Sequence, residues 1–137
     1  MLIDLISNEY GVTPAAENRA ITEDLADAAV SDQILRLVKK RFAEPEIALH
    51  LLADELRLSS RHLGRLFQRH TGKTFRQCLR DVRIERAAHL LSEQQVDVKQ
   101  VAAMVGYGSR GHFDEDFRTH MGRTPAQFKK SQRACQL

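Results

Sequence analysis

SSRHLGRLFQRHTGKT, residues Ser59–Thr74, returns fifty residues later as SRGHFDEDFRTHMGRT, residues Ser109–Thr124. Ala53 and Ala103 match at the same offset, six residues before each copy. A repeat at one fixed offset is the sequence sign of a duplicated structural unit. Two copies predict a pair of similar units and not a solenoid. The identities within and just after the repeat are Ser59/Ser109, His62/His112, Phe67/Phe117, His70/His120, Gly72/Gly122, Thr74/Thr124 and Gln77/Gln127.

Each copy has the start and end signals of a helix. Ser59 and Ser109 suit the N-cap, where the hydroxyl accepts a hydrogen bond from a backbone N–H that has no partner within the helix. Gly72 and Gly122 suit the helix end, where the chain turns left-handed. Apolar residues at helical spacing predict a buried stripe on each helix. These residues are Leu63, Leu66 and Phe67 in the first copy, and Phe113 and Phe117 in the second.

The opposite face of the first copy is basic and polar. It carries Arg61, Arg65, Gln68 and Arg69. These side chains have the length and the donors to reach base edges and phosphates. An ordinary solvated face of an amphipathic helix is the alternative interpretation.

A short helix and a tight turn precede each copy. Leu49–Leu56 and Val98–Val105 are the short amphipathic segments. Helix, short turn and second helix with an exposed polar face are the organisation of a helix-turn-helix unit, in which the second helix is the recognition helix. Gly106 is predicted to take a positive φ in its turn. Leu56 stands fifty residues earlier, so this feature is expected in one unit only.

The rest of the chain is predicted to be helical as well, which makes the fold class all-α. A first helix is expected to begin near Ser31, the candidate N-cap, and to stop before Pro45. Residues 74–91 lack glycine and proline and keep a helical period, which predicts one linker helix roughly 27 Å long. Pro125 suits the first position of a final helix. The buried stripe of the first helix is predicted to be Ile34, Leu35, Val38 and Phe42.

Charge divides the chain unevenly. Residues 1–32 carry one basic and seven acidic side chains, a net of −6, whereas residues 33–137 carry 20 basic and 11 acidic ones, a net of +9. A basic body of this size is compatible with nucleic-acid binding. We divide the chain into an acidic segment of unassigned role (1–30), a first helix-turn-helix subdomain (31–73), a linker helix (74–92) and a second subdomain (93–137). The charge split suggests that the acidic segment folds over the basic body and weakens DNA binding.

Several classes of protein are disfavoured by what the sequence contains. Cys78 and Cys135 form no CxxC pair, and the six histidines show no metal-ligand spacing, so no metal or other cofactor is predicted. Ser59 near His62 lacks an orienting third residue, so no catalytic residue and no enzyme is predicted. The start MLIDLI is a poor signal peptide and no apolar run approaches a membrane span, so the chain is expected to be cytoplasmic with no membrane partner. A helical protein-interaction module with a solvated basic face remains the alternative, and the salt dependence of duplex binding discriminates the two.

Two long stretches resemble the DNA-binding domain of the AraC/XylS family of bacterial transcription regulators. They are LLADELRLSSRHLGRLFQRHTGKTFRQCLRDVRIERAAHLL and VKQVAAMVGYGSRGHFDEDFRTHMGRTPAQFKK, and the similarity covers about residues 31–133. The second stretch is close to the family signature A…GY/F-x-S…F…F+…G-x-T/S-P…F/Y+. The resemblance implies about seven helices, with two homeodomain-like helix-turn-helix subdomains joined by a long linker helix. It also implies that both recognition helices enter successive major grooves on one face of the duplex.

The resemblance implies site residues position by position. Among them Arg65 is the strongest candidate, because arginine can donate two hydrogen bonds to guanine. Gly64 also falls at a base-facing position but has no side chain to read with. The implied base-reading residues are Ser60, Arg61, Arg65, Gln68, Arg110, His112 and Glu115. The implied phosphate-binding residues are Arg69, Lys73, Ser109, Arg118 and Arg123.

The second recognition helix departs from the family pattern. Asp114, Glu115 and Asp116 put three acids where the family commonly has polar or basic residues. Glu115 could accept a hydrogen bond from a cytosine N4. A second unit that binds only weakly is the other interpretation, and the residues leave both open.

The implied partners are a double-stranded DNA operator and RNA polymerase, with activation favoured over repression. Family members usually carry a much larger effector-binding or dimerisation domain before the DNA-binding part. No effector domain is expected in this chain, because thirty residues cannot form one. A stand-alone regulator controlled by its abundance and a piece of a longer protein are both compatible with the sequence.

Overall fold

Seven α-helices and no β-strand make up residues 14–93 and 95–135, the part of the protein that the computed structural model describes. The all-α prediction is therefore confirmed. None of these helices has both the length and the apolar character that a membrane crossing requires. The helices are α1 (Pro14–Arg41), α2 (Leu49–Glu55), α3 (Ser60–Thr71), α4 (Phe75–Glu93), α5 (Val98–Met104), α6 (Arg110–Met121) and α7 (Pro125–Cys135).

The caps of α3 and α6 are those expected from the repeat. The hydroxyl oxygens of Ser59 and Ser109 accept hydrogen bonds from the backbone N–H three residues on, at 3.1 and 3.4 Å. Gly72 and Gly122 end the helices with φ of +75° and +80°. The predicted starts and ends of both recognition helices are thus confirmed.

A second pair of identities is explained by the helices that follow. Thr74 and Gln77 exchange hydrogen bonds between side chain and backbone at 3.0 and 3.1 Å, which is a capping box at the start of α4. Thr124 and Gln127 make the same exchange at 3.0 and 3.2 Å at the start of α7. The repeated threonine and glutamine therefore start helices.

The predicted start of the first helix was wrong. α1 begins at Pro14, and Ser31 lies well inside it with 2% of its surface exposed. A serine acts as an N-cap only where the residues before it are not helical. Here no glycine or proline interrupts the Ala-rich stretch between Pro14 and Pro45, so the helix continues through Ser31. The predicted boundary at residue 30 therefore falls within a helix, and the MLIDLI start lies outside the described residues.

The turn before each recognition helix contains one left-handed residue in both units. These residues are Arg57, with φ of +57°, and Gly106, with φ of +97°. In each unit the next N–H donates at 2.9 Å to a carbonyl oxygen five residues earlier. These bonds run from Leu58 to Ala53 and from Tyr107 to Ala102.

This hydrogen-bond pattern corrects the alignment of the two units. Gly106 corresponds to Arg57 and not to Leu56, so the left-handed turn is not confined to one unit. Ala53 likewise corresponds to Ala102 and not to Ala103. The helices before the turns are related by 49 residues and the recognition helices by 50, which leaves one additional residue in the second turn.

Two apolar cores lie side by side and share one helix. The first half of α4 packs into a core with α1, α2 and α3, and its second half packs into another with α5 and α6. Phe67 in the first core, and Phe113 and Phe117 in the second, are fully buried. Phe42, at the end of the α1 region, packs against both cores. Residues of α4 therefore set how one unit sits against the other.

The joint between the cores is polar as well as apolar. Arg83 of α4 donates from Nε to the carbonyl oxygen of Phe42 at 2.7 Å and from a terminal nitrogen to that of Glu44 at 2.8 Å. Its guanidinium also lies 5.5 Å from the ring centre of Tyr107. Burial lowers the pKa of Arg83, but the group has carbonyl acceptors in its half-buried site. One side chain thus ties the end of α1 to the turn of the second unit.

Candidate nucleic-acid interface

The outer face of α3 carries the predicted base-reading residues together. Leu63, Leu66 and Phe67 face the core, which leaves the opposite side of the helix in solvent. In the described part of the chain, Arg61, Arg65 and Gln68 have no side-chain hydrogen bond or ion pair. Their donors are therefore available to a ligand. The exposed residues of this face are Ser60, Arg61, Arg65, Gln68 and Arg69.

The C-terminal end of α3 is covered by acidic residues of α1. Arg69 pairs with Asp27 at 2.7 Å, and His70 lies 3.8 Å from a carboxylate oxygen of Asp24. Arg69, predicted to bind phosphate, is thus already paired within the protein. The described portion of the acidic segment lies against the basic helix, as the charge split suggested.

The acidic run of α6 does not form one acidic surface. Asp114 accepts from Nε of Arg110 at 3.0 Å, one turn earlier on the same helix. Asp116 is half-buried and accepts from the Tyr107 hydroxyl at 2.7 Å. Burial first, and then this hydrogen bond, raise the pKa of Tyr107 well above its usual value. Glu115 is the one acid of the three that is exposed with no side-chain partner among the described residues.

The same contacts reduce the number of side-chain donors that α6 has free for DNA. Arg110 is exposed but its Nε is paired with Asp114, which leaves only its terminal nitrogens to donate to a base. His112, Glu115 and Arg118 are exposed on the outer side of the helix. α6 consequently offers fewer free donors than α3.

The remaining predicted phosphate-binding residues lie around the ends of the recognition helices. Ser109 is exposed and its oxygen caps α6. Arg123 follows the end of α6 and donates to the Ser131 hydroxyl at 3.0 Å. Lys73 follows the end of α3, where its amine lies 2.7 Å from Asp81. The pKa of Lys73 is raised, mainly by this hydrogen bond.

Asp81 of α4 joins the ends of both recognition helices. Besides Lys73, it contacts Nδ1 of His120 in α6 at 3.1 Å and a terminal nitrogen of Arg80 at 3.4 Å. Burial alone would raise the pKa of Asp81. The hydrogen bond from Lys73 and the nearby positive charges outweigh burial and hold this pKa below its ordinary value of 3.8. This buried carboxylate was not predicted as important.

Asp81→Asn should destabilise the protein by about 1–2 kcal/mol at pH 7, since it removes a charged hydrogen-bond acceptor. The pKa of Asp81 is depressed in the folded protein. The stability that its ionised carboxylate contributes is therefore present above the ordinary pKa of 3.8 and is lost as the pH falls through the pKa of the folded state. The difference between variant and wild type should therefore shrink below about pH 4. Urea unfolding of both proteins at pH 7 and pH 3 tests this, and an equal difference at both values contradicts it.

A cavity between α4 and the second unit was missed by sequence reasoning. It has a volume of about 410 Å³ and is lined by Arg76, Arg80 and Arg83 on one side and by Ser109 and His112 on the other. Basic residues at this spacing share one face of a helix. The spacing could have identified that face, but only the packing of α6 against α4 shows what it faces.

Comparison with protein families gives a match over most of this architecture. The family model described as "Helix-turn-helix domain" matches residues 52–131. The chain is 31% identical over 112 residues to an uncharacterized transcriptional regulatory protein, YesN, of Bacillus subtilis, covering 80% of this chain and 30% of that protein. It is 30% identical over 103 residues to the HTH-type transcriptional activator RhaS of Salmonella schwarzengrund, covering 75% of this chain and 37% of RhaS. The chain thus spans well under half the length of these curated relatives.

Solved structures show the same arrangement of helices. The C-terminal domain of AraT, a response regulator from Geobacillus stearothermophilus, superposes with a TM-score of 0.73 at 26% identity, covering 74% of this chain and 84% of that one. The DNA-binding domain of AdpA, a global transcriptional factor solved in complex with a target DNA, gives 0.71 at 26% identity, covering 76% and 93%.

Proposed function

Because this chain belongs to the AraC/XylS family of helix-turn-helix proteins, we propose that it is a sequence-specific regulator of transcription that binds double-stranded DNA. The observation that carries the proposal is the outer face of α3, where Arg61, Arg65 and Gln68 are exposed and unpaired within the described chain. The DNA-binding domain of AdpA, which is similar over 76% of this chain, was solved bound to DNA. The two recognition helices, α3 and α6, would enter successive major grooves on one face of a duplex.

In this proposal α3 supplies most of the sequence discrimination. Arg65 lies near the middle of the exposed face and can donate two hydrogen bonds to O6 and N7 of guanine. Arg61 and Gln68 lie one turn to either side and can reach neighbouring bases. Ser60 is at the N-terminal end of the helix, where recognition helices make many of their base contacts.

We assign α6 a weaker reading role. Glu115 can accept from a cytosine N4, and His112 can contact a neighbouring base. Arg110 can donate from its terminal nitrogens while Nε stays on Asp114, and the adjacent carboxylate offsets part of what the new contact contributes. The second unit would therefore help to set position on the duplex more than to select its sequence.

Phosphate contacts would fix the register of both helices. Arg118 is exposed on α6 with no side-chain partner in the described chain, which makes it the best-placed candidate. Arg69 and Lys73 would exchange their present carboxylate partners for phosphates. Ser109 and Arg123 complete the proposed set. Such contacts carry affinity and salt dependence but little sequence information.

The effect on transcription is proposed from the relatives. A protein similar to this chain is named a transcriptional activator, which favours activation and an accompanying contact with RNA polymerase. The site of action would be the bacterial cytoplasm, where chromosomal DNA is accessible.

Selection of binders from a randomised duplex pool would identify the operator. Absence of any selected sequence, with no salt-dependent duplex affinity, would instead favour a protein-interaction module.

Arg65→Ala should reduce affinity for the selected duplex by about 1–3 kcal/mol and relax the preference at one base pair. Arg118→Ala is the matched control, because it removes an exposed arginine from the outer face of the other recognition helix. Its loss should be similar on selected and random duplexes. Fluorescence anisotropy on both duplexes measures the two effects. Equal losses on both duplexes for Arg65→Ala would argue against base reading.

Asp27→Asn should raise affinity for selected and random duplexes alike, by about two- to three-fold at low salt, since it releases Arg69 and removes a repelling carboxylate. The matched control is Asp32→Asn, an exposed acid on α1 that has no ion pair among the described residues. A point substitution is preferable to deletion of residues 1–30, which would cut through α1. Unchanged affinity in both variants would remove an inhibitory role for the acidic segment.

A further inference from the structure

Arg76 of α4 lies between the two recognition helices. It lines a cavity of about 350 Å³ together with Gly64 of α3 and Leu49 of α2. It also lines the cavity of about 410 Å³ that includes Ser109 and His112, at the start of α6. A side chain that borders both cavities is placed in the gap between α3 and α6.

Arg76 provides the free donors at this gap. Arg76 is exposed and has no hydrogen bond or ion pair with any residue that the structure describes. Arg80 is one turn further along the same face. Its Nε is buried without a hydrogen-bond partner, and one of its terminal nitrogens pairs with Asp81 at 3.4 Å. Arg83, the third arginine of the larger cavity, is already bound to two backbone carbonyl oxygens.

The charge around the larger cavity favours an anion. Its lining contains three arginines and one acid, Asp116. That acid accepts a hydrogen bond from the Tyr107 hydroxyl and is half-buried. Guanidinium groups bind phosphate oxygens through paired, charge-assisted hydrogen bonds. The gap therefore has the chemistry of a phosphate site.

We propose that Arg76, supported by Arg80, binds a phosphodiester of the DNA backbone that crosses the gap between α3 and α6. This rests on the proposed function, because successive major grooves on one face of a duplex are separated by the phosphates that border the intervening minor groove. Those phosphates must pass the surface that lies between the two recognition helices. The linker helix is then a third contact with DNA, in addition to its role in joining the units.

The salt dependence of duplex binding tests this contact. Arg76→Ala should lower the slope of log affinity against log salt by about one, so that its deficit is roughly three- to four-fold larger at 50 mM than at 200 mM salt. Arg86→Ala is the matched control: Arg86 is exposed on the same helix and lines neither cavity. An unchanged slope for Arg76→Ala, or equal losses for both variants, overturns the proposal. A wild-type protein that binds no duplex overturns the proposed function instead.

Neutral phosphates locate the contact on the duplex. Methylphosphonate linkages placed one at a time between the two half-sites should reduce wild-type affinity at one or two positions. At those positions the Arg76→Ala variant should lose no further affinity, because the interaction is already absent. Additive losses at every position would overturn the assignment.

A free phosphate group offers the same chemistry as a backbone phosphate, so inorganic phosphate is the second probe. Calorimetric titration of the DNA-free protein should show no saturable binding below about 1 mM phosphate, because one arginine with partial support from a second is a weak site for a free ion. Saturable binding that Arg76→Ala abolishes, with duplex affinity unaffected by the same change, would assign the site to a free anion and overturn the DNA contact.

Discussion

Gly106→Ala should lower the free energy of unfolding by about 2–5 kcal/mol, a large part of the stability of a domain of this size. Two effects combine at this position. Gly106 has φ of +97°, which residues with a Cβ rarely adopt. A methyl group there would also lie 2.9 Å from the carbonyl oxygen of Phe42 and 3.1 Å from backbone atoms of Ala43. None of these backbone atoms can rotate away as a flexible side chain could.

Gly72→Ala separates these two effects. Gly72 has φ of +75°, but nothing lies within 4 Å of the position that its Cβ would take. This variant should lose only about 1–2 kcal/mol, the part that backbone strain contributes. Chemical denaturation of both variants measures the difference. Equal losses would mean that the close approach of Gly106 to the end of α1 does not matter for stability.

Arg83→Met should destabilise the protein by about 2–3 kcal/mol and should also uncouple the two helix-turn-helix units. Methionine keeps the apolar stem but leaves the carbonyl oxygens of Phe42 and Glu44 without their charged donor. The contact of the guanidinium with the Tyr107 ring contributes a further fraction of a kcal/mol at most, because the site is only half-buried.

Binding distinguishes uncoupling from a general loss of stability. Wild-type protein should bind a duplex with both half-sites at their selected spacing much more tightly than a duplex with the spacing changed by one base pair. Arg83→Met should reduce that preference, because the units are no longer held at one separation. Arg86→Met, a change of the same type at an exposed position of α4, should leave it intact. An undiminished spacing preference in Arg83→Met would show that the shared helix alone sets the geometry.

The elements that could be predicted were those with local causes. Ser59 and Ser109 cap helices because a hydroxyl there reaches a backbone N–H three residues away, and Gly72 and Gly122 end them because glycine tolerates a positive φ. The start of α1 could not be predicted in this way. Ser31 looks like a cap in its local sequence, but its buried position depends on packing against other helices.

For the candidate DNA-binding site, the exposure of side chains could be predicted but their pairing could not. The amphipathic pattern of α3 indicates which side chains face solvent, and Arg61, Arg65 and Gln68 are exposed as that pattern requires. The pairing of Asp116 with Tyr107 and of Arg69 with Asp27 joins residues from different elements. Which acids remain free therefore depends on contacts between separate elements, which the repeat does not record.

The sequence by itself determined two similar units, their recognition helices and the face that each presents, because helix caps, glycine helix ends and helical periodicity act within a few residues. Tertiary structure alone decided how the units are set against each other. Arg83 reaches the carbonyl oxygens of residues about forty positions earlier, and Asp81 meets both Lys73 and His120. Contacts of that range exist only once the chain has folded, since no local pattern specifies which distant groups will meet.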